Sequence, residues 1–251
     1  MGIFDLFKTK TKDKTGGDGR ARSAAAKWAE AAGSKRAQNY DRQEALQELA
    51  ALATPEAAEA LLKRFTFMID PSITDQEEKD LAFEGILKVG GDAVPVIRAF
   101  AAKAESLAWP MKLMKELQTE EELIDELLAW LSRWDTEYAK FIDPKLQILV
   151  ALEDYRSPKI REAVEPFLED VNDDARFAAA ATVLAQDDPS SVPALVALLA
   201  DEESIRIKNK VCDGLILRGW PVEEDLRADM RRALPPAYSI DGDGKLLKRA
   251  P

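Results

Sequence analysis

The chain has 251 residues, 46% of them apolar and 32% charged, with 46 acidic against 35 basic side chains and a formal net charge of −11. It contains no histidine and a single cysteine, Cys212. Those two facts exclude Ser-His-Asp and Cys-His catalysis, histidine-ligated metal or haem sites, an internal disulfide and a thiolate metal cage. The negative balance opposes non-specific binding to DNA or anionic membrane.

The N-terminal stretch Met1 to Phe7 is too short for a signal-peptide core and has no small-residue cleavage site after it. Gly2 suits myristoylation, but Leu6 stands where that motif wants Ser or Thr. Residues 1–36 hold nine basic and four acidic side chains, a net of +5, which leaves −16 for residues 37–251. From Lys8 to Arg22 the only apolar residue is Ala21, so this stretch is expected to be a flexible tether. Ser23 to Ala32 is expected to form a short helix around Trp28. Ahead of the tether, Ile3, Phe4, Leu6 and Phe7 are candidate protein-binding residues. Three readings of them stay open: a docking motif for a partner's groove, a weak membrane-surface anchor through residues 1–15, or packing on the chain's own acidic body.

From Asp41 onward the signals are helical. Thr54-Pro55, Asp143-Pro144, Ser157-Pro158 and Asp188-Pro189 each place a capping oxygen before a proline at the first helical position. Thr74 with Glu77, and Thr119 with Glu122, read as capping boxes. Apolar stripes follow at helical spacing: Leu123, Ile124, Leu127, Leu128 and Leu131; Ile160, Val164, Phe167 and Leu168; Phe177, Ala180, Ala181 and Leu184. Cys212, between Val211 and Leu215, is expected to be a buried small hydrophobe. No run is long and apolar enough to span a bilayer. Near the end, Ala237 to Leu247 is either a small hairpin or a loose tail.

The helices group into about six two-helix units, near 41–68, 75–105, 110–134, 143–170, 173–200 and 203–233. A helix pair of this kind cannot bury its apolar face alone, so neighbours are expected to stack. The expected division is residues 1–36 as a basic segment, 37–234 as the helical body and 235–251 as the tail or hairpin.

Three stretches carry a resemblance to a known family: Gly91-Asp92-Ala93-Val94-Pro95-Val96-Ile97, Asp174-Ala175-Arg176-Phe177-Ala178-Ala179-Ala180, and Ser191 to Leu199 with its Val192-Pro193 step. They resemble HEAT repeats, well across 173–218 and poorly across 107–140. The resemblance implies an all-α fold, a right-handed α-α superhelix of HEAT/armadillo-like hairpins. It implies no specific activity. Some HEAT-like proteins are bilin-lyase subunits and others DNA glycosylases, and those remain the enzyme alternatives. Arg176 and Arg206 are expected to be structural, reaching acceptors on adjacent loops or helix ends.

Among possible chemical groups, Glu120, Glu121, Glu122, Asp125 and Glu126 form the densest acidic cluster. On a helix they are expected to face solvent opposite the leucine stripe. Asp241-Gly242-Asp243-Gly244 resembles the start of a calcium loop. The loop's twelfth ligand would fall past Pro251, so a tight turn is expected. Trp109, Trp130, Trp134, Tyr138 and Phe141 are expected to pack in the core. A base-binding pocket is the rival reading, opposed by the carboxylates around them.

The resulting expectation is a non-enzymatic, cytoplasmic scaffold or adaptor that binds another protein, with no cofactor or metal and nucleic acid disfavoured. Its binding face is assigned to exposed positions on the second helices of the middle units: Arg98, Lys103, Glu121, Asp125 and Arg133. Recruitment to a membrane through the N-terminal segment is the further alternative.

Overall fold

The computed structural model describes the backbone of residues 15–249 and the side chains of residues 23–249. Among these residues are thirteen α-helices, short 3-10 turns, and two three-residue strands after the last helix. The expected all-α class is therefore observed. No helix among the described residues is long and apolar enough to cross a membrane. Contacts divide the chain into two compact units. The first runs to Ala101 and takes in Lys112–Leu117; the second holds Ala102–Met111 and everything from Gln118 onward.

The first unit contains α1 (Thr15–Ala32), α2 (Asn39–Leu52), α3 (Pro55–Leu62), α4 (Ser72–Leu87) and α5 (Val94–Ala101). Helix α1 packs on α2 and α3, α2 on α3 and α4, and α3 on α4 and α5. Leu46, Leu49, Leu61, Leu62, Ile86 and Ile97 are fully buried between them. Close approach of α2 and α4 requires Gly85, where a Cβ would stand 2.7 Å from that of Ala50. The Thr54 hydroxyl caps α3 by accepting from the Ala57 N–H, with Pro55 at the first helical position.

Two expectations are corrected in this unit. The tether expected from Lys8 to Arg22 is helical from Thr15 onward. Once packing fixes the turns holding buried Ala25 and Ala32, each further residue adds one backbone hydrogen bond, and the helix extends toward its N-terminus. The expected capping box at Thr74 and Glu77 is absent. Helix α4 begins three residues earlier, at Ser72, with extended Pro71 in the capping position, so Thr74 lies inside the first turn.

The unit also buries a charge network. Glu78, 3% exposed, accepts from Arg42 and Arg64, each through Nε at 2.7 Å. Arg64 continues to Asp75 at 2.7 Å, and Lys79 reaches the other Asp75 oxygen at 2.6 Å. Three cations thus meet two carboxylates. The guanidinium N–H groups left over donate to Ala37 O, Asn39 Oδ1, Phe67 O and Asp75 O.

Helix α6 (Ala108–Leu117) gives residues to both units. The second unit then holds α7 (Glu120–Leu131), α8 (Asp143–Leu152), α9 (Pro158–Val164), α10 (Asp173–Ala185), α11 (Val192–Asp201), α12 (Ile205–Arg218) and α13 (Arg227–Ala233). A 3-10 turn over Glu165–Glu169 prolongs α9, and another over Pro189–Ser191 leads into α11. First helices α8, α10 and α12 pack side by side; the Glu165–Glu169 turn packs on α11, and α11 on α13. Ala178, Ala179, Ala180 and Ala181 are all buried where α10 meets its neighbours. Gly214 of α12 leaves room for the buried Leu184 of α10.

Local signals in this unit are mostly as expected. Thr119 and Glu122 form a complete capping box on α7. Ser157 caps α9 and Asp188 caps the Pro189–Ser191 turn. Asp143, in contrast, is the first residue of α8 and caps nothing; Ile142 holds the capping position. Glu126 is buried, not solvated with its acidic neighbours. It lies three residues after Leu123 and four before Trp130, on the face those side chains bury. Tyr138 and Phe141, expected in the core, are 82% and 61% exposed in the segment before α8, whereas Trp130 is 2% exposed.

The end of the chain is a hairpin. Strand β1 (Tyr238–Ile240) pairs antiparallel with β2 (Leu246–Lys248), Ser239 opposite Leu247. Asp241 Oδ1 accepts from the Asp243 and Lys245 N–H groups, both at 2.9 Å. This is the tight turn expected of that sequence.

A recurring basic link spaces the helix pairs of the second unit. Lys145 of α8 donates to Asp170 at 2.6 Å, 25 residues on. Arg176 of α10 donates to Glu202 at 2.7 Å, 26 residues on. Lys208 of α12 donates to the Ala233 carbonyl at 3.3 Å, again 25 residues on. Each ties the start of a first helix to the end of the second helix of its own pair.

Candidate functional site

Helix α11 turns Ala194, Ala197, Leu198 and Asp201 to one side, at the spacing that puts residues on a single helix face. Opposite stand Glu162 of α9 and the 3-10 turn carrying Glu165, Pro166, Leu168 and Glu169. Between them opens a groove of about 900 Å³. Pro166, whose ring removes a backbone donor, comes where α9 gives way to the 3-10 turn. The small side chains Ala194 and Ala197 keep the groove open, and buried Leu168 and Leu198 give it an apolar floor.

Seven carboxylates and two guanidiniums line this groove. Exposed Glu162 lies 3.9 Å from Arg161, and the other six carboxylates fall into two groups. The inner carboxylates are neutralised by the fold. Glu202 is gripped by Arg176, and Glu165 accepts from Arg161 at 3.1 Å and from the Ser191 hydroxyl at 3.0 Å. Asp170 is paired with Lys145. The outer ones differ: Glu169, Asp201 and Glu203 are exposed and have no ion pair among the described residues.

Burial pushes the Glu202 carboxyl up, but hydrogen bonds from Arg176 and the Ser204 N–H, with the Arg176 charge, outweigh it and hold Glu202 below its ordinary value. In turn Arg176 is raised, first by its hydrogen bond to Glu202. Glu202 is thus an anchored anion. A general acid at neutral pH needs the opposite displacement. Among the described residues, no group of three or more His, Cys, Asp or Glu side chains is placed to hold a metal ion. The groove offers shape, an apolar floor and negative charge.

The sequence-predicted site residues lie elsewhere. Ile3, Phe4, Leu6 and Phe7 are outside the described residues. Arg98 is exposed on α5 in the first unit. Lys103 and Arg133, expected on second helices, sit in the turns that follow α5 and α7. Glu121 and Asp125 are exposed on α7, one turn apart, and do come together with a cation. Asp125 accepts from Lys159 of α9 at 2.8 Å, and that hydrogen bond first, with the Asp125 and Glu121 charges, raises Lys159 above its ordinary value. Both members of this pair are more than half exposed.

The groove residues were not singled out in sequence. Arg176 reaches acceptors beyond its own helix, as expected from sequence, but Glu169, Ala197 and Glu203 carry no local signal that joins them. Comparison with protein-family models gives no match, and comparison with curated proteins gives none either.

Proposed function

We propose that this chain is a non-enzymatic, cytoplasmic scaffold that binds another protein, with its helix pairs stacked as a right-handed HEAT-like superhelix. The observation that carries the reading is the groove beside α11, whose exposed acidic rim of Glu169, Asp201 and Glu203 has no ion pair among the described residues. Support for the stacking comes from the packing of α8, α10 and α12 side by side and of α11 on α13, and from the basic links repeated at 25 and 26 residues. A single reduced cysteine, buried on α12, fits a reducing compartment.

The test is a photo-crosslinking residue at Ala197, on the groove face, with a control at exposed Asp225. In extract of the native cell, Ala197 is expected to give discrete protein adducts that Asp225 does not. Equal labelling at both positions, or none at Ala197, overturns the proposal.

A further inference from the structure

Resting on that reading of the groove as a docking surface, we infer that its occupant is an extended peptide segment of a partner protein, with lysine or arginine alternating with small apolar side chains. Glu165, Asp170 and Glu202 are each paired with a cation, Arg161, Lys145 and Arg176 in turn, and Arg161 also serves Asp188 and Glu162. Glu169, Asp201 and Glu203 have none among the described residues, yet they stand around one concavity. Carboxylates gathered on low-dielectric walls focus their field into the cleft and attract cations there. A phosphate-bearing partner is repelled by the same field.

The floor decides the rest. Half-buried Ala194 and exposed Ala197, backed by the buried Leu168 and Leu198, form a shallow apolar strip. An extended strand alternates its side chains between two faces. It can therefore lay apolar groups on this strip while sending cations to the rim. A volume of about 900 Å³ is at the large end for a small-molecule site, where about 300–1,000 Å³ is usual, and it is open enough for several residues of such a strand.

The experiment is fluorescence anisotropy on the full chain with three labelled peptides, each about ten residues or roughly 33 Å when extended. One alternates lysine and valine, one lysine and serine, one glutamate and valine. The lysine–valine peptide is expected to bind most tightly and the glutamate–valine peptide not at all. Glu169→Lys with Glu203→Lys is expected to weaken the lysine–valine peptide by about tenfold or more, or 1.4 kcal/mol. Glu44→Lys with Glu48→Lys makes the same change in net charge at exposed positions outside the groove and is expected to leave binding within about twofold at physiological salt, where screening acts over about 8 Å. Ala197→Trp fills the groove at an exposed position without altering charge, and is expected to abolish binding even if the double charge reversal fails to fold.

Equal weakening by both charge-reversed pairs, or equal binding of the lysine–serine and lysine–valine peptides, overturns the inference. If the lysine–valine peptide does not bind while Ala197 still crosslinks a protein, the basic-peptide inference falls and the docking reading stands. If Ala197→Trp leaves peptide binding intact and Ala197 crosslinks nothing, both fall.

Discussion

Arg176 holds Glu202 with a two-pronged grip, Nε to Oε2 at 2.7 Å and Nη2 to Oε1 at 3.1 Å. The carboxylate side chain is 1% exposed, and its Oε1 also accepts from the Glu203 and Ser204 N–H groups. Glu202 thereby joins α10 to the turn that starts α12. Arg176→Ala leaves a buried carboxylate with backbone donors but no cation. Removing one partner of a buried pair costs about 3–5 kcal/mol, and the partly exposed arginine places this case near the low end. Arg176→Lys keeps the charge and loses the fork, so it is expected to cost less. Urea unfolding of the two variants checks the order; equal stability to the parent chain would remove the link from the account of the fold.

In the first unit the corresponding weak point is Glu78, one carboxylate shared by Arg42 and Arg64. Glu78→Gln leaves buried Arg42 without a carboxylate and Arg64 with Asp75 alone, both facing a neutral amide that brings its own donors. A loss of about 3 kcal/mol or more is expected from the uncompensated charge. A variant that also replaces Arg42 with Leu is expected to recover part of this, because one unpaired cation goes with it. A double-variant cycle by urea unfolding measures the coupling.

What could be read in the sequence was local. Thr119 with Glu122, Ser157 before Pro158 and the stripe from Leu123 to Leu131 each declare themselves within a turn or two, and each stands in the structure as read. Glu126 was also within reach, since its spacing from Leu123 and Trp130 puts it on the buried face. The runs of charge around it concealed that. Other features depend on distant partners. Nothing near Glu78 in sequence says that Arg42, 36 residues earlier, will desolvate with it. Gly85 reads as a poor helix residue until Ala50 is placed against it. The groove is of the same kind: Glu169 and Ala197 become neighbours across a cleft only when the 3-10 turn after α9 packs on α11. Thr74 and Asp143 failed as caps because a proline near each fits more than one helix start.

Cys212 is expected to be inert toward thiol reagents in the native state. It is fully buried, and burial first, then the Asp213 charge, pushes its pKa up to about 12. The thiolate is the reactive form, so both access and ionisation oppose reaction at neutral pH. With a chromogenic disulfide reagent, labelling is expected to be negligible in buffer and to rise across the urea transition. Rapid labelling without denaturant would show that α12 opens locally.

The pH dependence of stability is expected to have two limbs with separate causes. Asp75 and Glu202 are both held below their ordinary values, against burial, by cations and N–H donors. The unfolded chain therefore takes up protons first as pH falls. The stabilisation is complete above the unfolded values of 3.8 and 4.5 and is lost as pH drops through the lower folded values. On the alkaline side, Cys212 and Tyr238 are both raised to about 12, each mainly by burial and Tyr238 also by donating to Asp213. The folded state holds protons that the unfolded state releases above 9.0 and 10.0, so stability falls as pH rises past those values. Urea midpoints between pH 7 and 3 test the acid limb in the parent chain and in Glu202→Gln. That variant is expected to start less stable at pH 7 and to lose less on acidification, because the group that titrates is gone. Parallel acid limbs in the two proteins would show that Glu202 is not a source of the pH dependence.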